Sequence, residues 1–382
     1  MKYEPADIFF IAGEASGDLQ ASLIARVARE MRPQVRMAAI GGDRLRALGM
    51  PITYDSSELA SIGPISVLPR IPLLYGLLRW LDMAMRKRPA GLIVPVDAGA
   101  FNLRLIKRLR ASGYSAPIIY YFPPGAWLDN ADQARAVANA AQPLTPFAHQ
   151  RDFYRHLGLP VAYFGHPLVS VIASRAPQPL GATPLIAVLP GSRREEVARH
   201  LPVLAQAASA LRRAAPASFV IVAASDRRAD QIRSLWTRLD GPPDVDIRRE
   251  EATTVLRRAD LGWVASGTAV LEAALVGVPQ IVFYVVSAAQ YRVAQRRLPR
   301  ALLWSISLPN LVTGRTIVPE LLQREFTPLR LTQETLRLLD QDTERDRMRG
   351  GYEELRAALG PPDALTRIAE YVVDRMEAAK AS

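Results

Sequence analysis

The sequence predicts an α/β protein made of two doubly wound, Rossmann-like parallel-sheet domains facing a cleft. Three observations predict it. Apolar runs of strand length alternate with helical patterns in both halves of the 382-residue chain, which is the pattern of a parallel sheet with crossover helices. The segment Ala176-Pro-Gln-Pro-Leu-Gly-Ala-Thr-Pro184 interrupts that alternation near the middle and reads as a linker. The length is enough for two separate cores.

In the first half the strand-like runs are residues 7–12, 37–40, 92–96, 117–122 and 161–164. Between the first two, residues 18–31 place Leu19, Leu23, Ile24, Val27 and Met31 on one helical face. After the linker, strands are expected at 185–189, 219–223, 261–265 and 280–285, and helices at 195–212, 253–258 and 267–276. Helical patterns close the chain at 332–339, 345–359 and 363–379, the last following Pro361-Pro362. The expected organisation is an N-terminal domain over 1–175, a second domain over 176–360, and a C-terminal helix over 361–382 that packs back on the first domain.

Composition narrows the function. A 49% hydrophobic and 22% charged chain is neither disordered nor a coiled coil. The absence of cysteine excludes disulfides, thiolate metal sites and a cysteine nucleophile. The histidines at 149, 156, 166 and 200 form no clustered ligand pattern, so no metal site and no cofactor is expected. The net charge of +11 comes almost entirely from arginine and suits phosphorylated substrates or an anionic membrane surface. The basic clusters do not interleave aromatics as a single-strand nucleic-acid platform does, so no nucleic-acid partner is expected. No signal-peptide pattern and no apolar run of membrane-spanning length is present. The expected location is cytoplasmic, free or attached to a membrane surface.

Ligands of doubly wound sheets bind beyond the carboxyl ends of strands, so the residues after each strand are the candidates. The first strand runs into Gly13-Glu-Ala-Ser-Gly-Asp18. This turn places Glu14 and Ser16 toward the cleft, and Asp18 either there or as a helix cap. The strand at 92–96 ends at Asp97, a position suited to a general base or to a turn-forming aspartate. The strand at 185–189 runs into Pro190-Gly191-Ser192-Arg193. A helix N-terminus there offers unpaired N–H groups, and Arg193 can fork onto phosphate oxygens. The strand at 261–265 runs into Ser266-Gly267-Thr268, with Glu272 further along the helix, a carboxylate able to accept hydrogen bonds from a ribose diol. Both phosphate-type loops lie in the second half, where a nucleotide is therefore expected.

Together these residues carry a resemblance. GEASGD at 13–18, GHPL at 165–168, LPGSRREEV at 189–197, SGTAVLEAAL at 266–275 and SLPNLVTGRTIVPELLQ at 307–323 resemble the lipid-A-disaccharide synthase family, in order and spacing across nearly the whole chain. The resemblance implies a GT-B fold. It also implies an inverting transfer from UDP-2,3-diacylglucosamine to 2,3-diacylglucosamine 1-phosphate, releasing UDP. Asp97 then matches the base that takes the proton of the acceptor 6-hydroxyl. Arg193 matches the residue that faces the diphosphate, with Gly191 and Ser192 in the same loop. Ser266, Gly267 and Thr268 match the second diphosphate loop, Glu272 the ribose-facing acid, and Asn310, Glu320 and Gln323 a late motif lining the cleft. On the acceptor side the resemblance points to Glu14, Ser16, Asp18, Asn102 and Trp127. It is also compatible with a homodimer.

The chain departs from the family pattern in its N-terminal half. Asp97-Ala-Gly-Ala-Phe-Asn102 stands for the usual Asp-x-Pro-Asp-Phe-Asn, and Pro123-Pro-Gly-Ala-Trp-Leu-Asp-Asn130 for Ser-Pro-x-x-Trp-Ala-Trp-Arg. Pro146-Phe-Ala148 stands for Pro-Phe-Glu. Three alternatives stay open: a homologue with another acceptor, a non-catalytic protein binding a UDP-lipid, and a UDP-sugar 2-epimerase-like enzyme. For lipid substrates a membrane-facing patch is expected on the cytoplasmic face of the inner membrane. The stretch 62–88 fits, through Leu74, Leu77, Leu78 and Trp80 beside Arg79, Arg86, Lys87 and Arg88. The basic stretch 291–304 is a second candidate surface.

Overall fold

The computed structural model describes residues 3–56, 71–124, 130–176, 178–239, 241–288, 290–292 and 305–381. The chain divides into two compact units, Met1–Ser170 with Leu359–Ser382, and Val171–Ala358.

Unit 1 contains β1 (Ile8–Ala12), β2 (Met37–Gly41), β3 (Ile52–Asp55), β4 (Leu92–Val96), β5 (Ile119–Tyr121), β6 (Gln142–Thr145) and β7 (Ala162–Tyr163). They form one parallel sheet in the order β3-β2-β1-β4-β5-β6-β7. Every residue of β1, β2 and β4 is buried, as expected of strands covered by helices on both faces. One face packs Phe9, Ile11, Ile93 and Tyr120 against Leu81, Met85, Leu105 and Val137. These come from the helices Ile71–Lys87, Gly99–Ala111 and Ala131–Ala140. Burying a residue such as Leu81 contributes about 2–3 kcal/mol. Helix Ala364–Ala381 lies against helix Ala15–Met31, with Lys380 Nζ 3.1 Å from Asp7 Oδ1.

Unit 2 contains β8 (Leu185–Leu189), β9 (Ser218–Val222), β10 (Asp246–Arg248), β11 (Leu261–Ala265), β12 (Gln280–Tyr284) and β13 (Glu320–Leu322). Its parallel order is β10-β9-β8-β11-β12-β13. Trp263 is fully buried in β11. Its indole N–H donates to Thr335 Oγ1 at 2.9 Å, so the one polar atom of the ring is satisfied. In each unit the strand order reverses beside the first strand, between β1 and β4 and between β8 and β11. Such switch points are where doubly wound sheets open a crevice.

Four strands, β3, β6, β10 and β13, were absent from the sequence expectations. They are short, and their alternation is broken by Gln, Pro, Asp, Glu or Arg. The amphipathic stretch also needs correction. Helix Ile71–Lys87 buries Leu77 and Leu78 in the unit 1 core, and Leu74 and Trp80 are half-buried against it. Leu81 and Met85 share that inward side, and Asp82, buried beside them, accepts from Arg108 Nε at 3.0 Å and Ser112 Oγ at 2.7 Å. A buried carboxylate must be paired, and these two donors offset the cost of burying Asp82 next to the apolar side. The outward side carries Ile71, Leu73, Tyr75 and Met83 with Arg79, Arg86 and Lys87, followed by exposed Arg88. Residues 62–70, Trp127 and 293–304 lie outside the described residues.

Candidate functional site

Unit 1 builds its switch point from two loops that nearly touch. A Cβ placed on Gly13 would lie 2.6 Å from the Ala98 Cβ, so only glycine lets the β1 loop pass the β4 loop. Helix Ala15–Met31 then starts with Glu14 extended at its N-cap, and Glu14 and Ser16 are half-buried at the carboxyl end of β1. Asp18 turns away from them. Its oxygens accept from Gly42 N at 2.6 Å and Arg44 N at 2.9 Å, capping the short helix Asp43–Ala47. Burial raises the Asp18 pKa, and the backbone N–H bonds oppose the shift. Its carboxylate is thus spent on joining the β1 and β2 loops.

Asp97 stands exposed at the end of β4 with φ 51°, and Ala98 follows with φ 46°. Left-handed backbone costs a non-glycine residue about 1–2 kcal/mol, so something must hold it. The Asp97 N–H donates to Tyr121 O at 2.9 Å, and the Asp97 carbonyl accepts from Tyr120 Oη and Asn102 Nδ2, both at 2.9 Å. Asn102, fully buried, also points Nδ2 at Ile11 O (3.2 Å) and Val96 O (3.3 Å). Asn102 is therefore a backbone anchor for Asp97. Gly99, where the family pattern has Pro, leaves room for Pro124. A Cβ at 99 would lie 2.6 Å from the Pro124 Cβ.

GHPL explains itself by packing. Gly165 has φ 101°, and a Cβ there would lie 3.0 Å from Leu359 O. His166 is buried between the Phe122 and Phe147 rings, and its Nδ1 accepts from Leu168 N at 3.3 Å. Burial lowers its pKa from 6.5 to about 3. Below about pH 6.5 the unfolded chain takes up a proton that folded unit 1 refuses, so stability falls with pH by about 1.4 kcal/mol per unit. Unit 1 is expected to be about 2 kcal/mol less stable at pH 5 than at pH 7 on this account. Urea midpoints at both pH values check it against His166→Asn, whose side-chain oxygen can still accept from Leu168. An equal loss in the variant would locate the acid sensitivity elsewhere.

In unit 2, β8 runs into Gly191, Ser192 and Arg193. Gly191 takes φ 111° because Glu196 sits beneath it, with Oε2 2.8 Å from where a Cβ would be. Arg193 is the N-cap of helix Arg194–Ala214. Its N–H points at Glu196 Oε2 (3.3 Å), and its Nη1 lies 2.7 Å from Glu196 Oε1. On the other side of the switch point, Gly267 adopts φ 157° and ψ −161°, a region almost restricted to glycine. It opens helix Thr268–Val276, with Ser266 and Thr268 half-buried and Glu272 buried in that helix. Two helix N-termini thus flank the crevice of one sheet, an arrangement suited to a diphosphate.

The late motif builds the wall behind the second loop. Glu320 accepts from Ser305 Oγ, from Ile306 N (3.0 Å), Ser307 N (3.1 Å) and Ser307 Oγ (2.5 Å), and from Asn310 Nδ2 (2.7 Å). Asn310, buried, accepts from Ile317 N and Val318 N and donates to Val318 O. Ser266 Oγ donates to Ile306 O at 3.3 Å. Asn310 and Glu320 therefore shape segment 305–310, which supports the Ser266 loop. Gln323, with its amide turned to satisfy both groups, donates to Val286 O (3.3 Å) and accepts from Val286 N (3.1 Å).

Sequence reasoning missed Glu196, His200 and Tyr284. The signal for the first two was present, as an N3 glutamate after a glycine turn and a histidine four residues on along the same helix. Tyr284, far away in sequence, had none. Among the described residues no cluster of His, Cys, Asp and Glu could hold a metal ion.

The family described as lipid-A-disaccharide synthetase matches residues 8–363. A lipid-A-disaccharide synthase of Myxococcus xanthus (strain DK1622) is 36% identical over 385 residues, covering 97% of each chain. The one of Anaeromyxobacter dehalogenans (strain 2CP-C) is 36% identical over 397 residues, covering 98% of this chain and all of the relative. Among solved structures, a putative UDP-N-acetylglucosamine 2-epimerase from Listeria monocytogenes superposes with a TM-score of 0.65. It covers 96% of this chain and 95% of its own, and at 13% identity it speaks for the GT-B fold alone. With strand orders, loops and relatives in agreement over almost its whole length, the chain belongs to the lipid-A-disaccharide synthase family.

Proposed function

We propose that the chain condenses UDP-2,3-diacylglucosamine with 2,3-diacylglucosamine 1-phosphate, giving the lipid A disaccharide 1-phosphate and UDP. The observation that carries this is the family match over residues 8–363. In this reading unit 2 holds the donor. The N–H groups opening helices Arg194–Ala214 and Thr268–Val276, together with Arg193, receive the diphosphate, and Glu272 the ribose. As the glycosidic bond to UDP breaks, the leaving diphosphate gains charge that these fixed dipoles stabilise more than in the ground state. In unit 1, Asp97 takes the acceptor hydroxyl proton, so that the oxygen attacks the anomeric carbon from the face opposite UDP. Asp18 and Asn102 serve this chemistry through the backbone they hold.

The acceptor and donor are lipids, and the outward side of helix Ile71–Lys87 supports docking on an anionic membrane surface. Ile71, Leu73, Tyr75 and Met83 offer apolar area, and Arg79, Arg86, Lys87 and Arg88 the cations. No helix among the described residues is long and apolar enough to cross a membrane. We assign the protein to the cytoplasmic face of the inner membrane.

One experiment tests both parts. UDP release from the donor is measured in neutral and in anionic vesicles, with and without 2,3-diacylglucosamine 1-phosphate. Release that depends on the acceptor, yields a disaccharide and is faster on anionic vesicles is expected. UDP-donor binding without acceptor-dependent turnover would overturn the acceptor assignment in favour of a different acceptor or a non-catalytic role. Equal rates on both vesicles would remove the membrane assignment.

A further inference from the structure

The diphosphate loop of unit 2 is held by a part of the sheet that neither glycine motif contains. His200 is fully buried, against Phe283, Tyr284 and Phe326. One ring nitrogen, Nδ1, lies 2.7 Å from Pro190 O, and the other, Nε2, faces the Val285 N–H at 3.2 Å. A carbonyl on one side and an N–H on the other admit only one neutral tautomer, with the proton on Nδ1. The ring therefore bridges the start of the diphosphate loop to the end of β12. One turn earlier on the same helix, Glu196 Oε1 takes Arg193 Nη1 at 2.7 Å and the Tyr284 hydroxyl at 3.0 Å. Burial, with Glu196 alongside, raises the Tyr284 pKa to about 12, so the phenol remains a donor. The next residue of that strand end, Val286, is held by Gln323.

We infer that Tyr284 and His200 are positioning residues for donor binding, making the end of β12 a brace that sets the place of Arg193 and of the loop it caps. Tyr284 acts on Arg193 through the shared carboxylate oxygen of Glu196. His200 acts on Gly191 and Ser192 by fixing the carbonyl that precedes them. Gln323 of the late motif adds a second hold on the strand end that His200 and Tyr284 grip. This inference rests on the reading of unit 2 as the UDP site.

The test is UDP affinity of the full chain by titration calorimetry, in a cycle of Arg193→Ala and Tyr284→Phe. Tyr284→Phe removes one oxygen and leaves the packing in place. Alone it is expected to weaken UDP by about tenfold, the effect of one hydrogen bond to a charged group. In the Arg193→Ala background it should weaken UDP by less than about twofold, since the residue it positions is gone. For His200, the Asn variant can still donate to Pro190 O and should recover most of the affinity lost in His200→Ala. A Tyr284→Phe effect that adds in full to Arg193→Ala, or no effect alone, overturns the Tyr284 role. Equal losses in His200→Asn and His200→Ala overturn the His200 role. If wild-type protein binds no UDP, or Arg193→Ala binds it as well as wild type does, the donor reading itself fails, which is a distinguishable result.

Discussion

Asp97→Asn is expected to bind UDP as tightly as the wild-type chain and to lose about a thousandfold in turnover, the usual weight of a general base. Three features make the substitution clean. The backbone at 97 is held through its own N–H and carbonyl, by Tyr121, Tyr120 and Asn102. Asparagine tolerates the left-handed conformation that Asp97 adopts, as aspartate does and β-branched residues do not. The loops proposed to receive the diphosphate belong to unit 2, so donor affinity has no reason to change. Donor kinetics at saturating acceptor, beside UDP titration, check the split between turnover and binding. Turnover within tenfold of wild type would move the base elsewhere, and Glu14 at the rim of the same switch point becomes the candidate.

Glu320→Ala is expected to cost unit 2 about 4 kcal/mol or more. Five donor contacts converge on that carboxylate, two of them backbone N–H groups of segment 305–310. Hydrogen bonds to a charged group are worth about 1.5–3 kcal/mol each, and several buried donors would be orphaned together. Ser305 and Ser307 are buried, so water does not readily replace the lost acceptor. The isosteric Glu320→Gln is expected to fail as well, because its amide would set N–H groups against the Ile306 N–H. Urea unfolding followed through Trp263 and Trp236, both in unit 2, measures the loss. An unchanged midpoint with lost UDP affinity would show Glu320 to be a substrate contact and leave the wall of unit 2 unexplained.

Both roles illustrate what a sequence displays and what it hides. Strands covered on both faces are continuous apolar runs, and the ends of β4, β8 and β11 fall where such runs stop. Edge strands β3 and β10 carry too few apolar residues to stand out. The loops after β8 and β11 were legible as turns into helices because their features are local: a glycine, a hydroxyl, an arginine and a following helix lie within a few residues. Asp18 and Glu320 were not, since a carboxylate's role depends on which N–H groups the fold brings to it. For Asp18 these lie 24 and 26 residues away. Helix Ile71–Lys87 failed differently. It is apolar on more than one side, so periodicity alone does not say whether Leu77 or Tyr75 turns inward; the side that packs on the sheet carries Leu77, Leu78, Leu81 and Met85.

Helix Ala364–Ala381 lies on helix Ala15–Met31, with Arg32 on Glu377 and Phe164 against Tyr371. The nearer side of unit 1 is therefore covered by residues translated only after all of unit 2. On the ribosome, the nested unit 2 has its whole chain available before unit 1 does. Until residues 359–381 emerge, the nascent first unit keeps an open apolar flank along residues 15–31, the kind of surface that chaperones shield during synthesis.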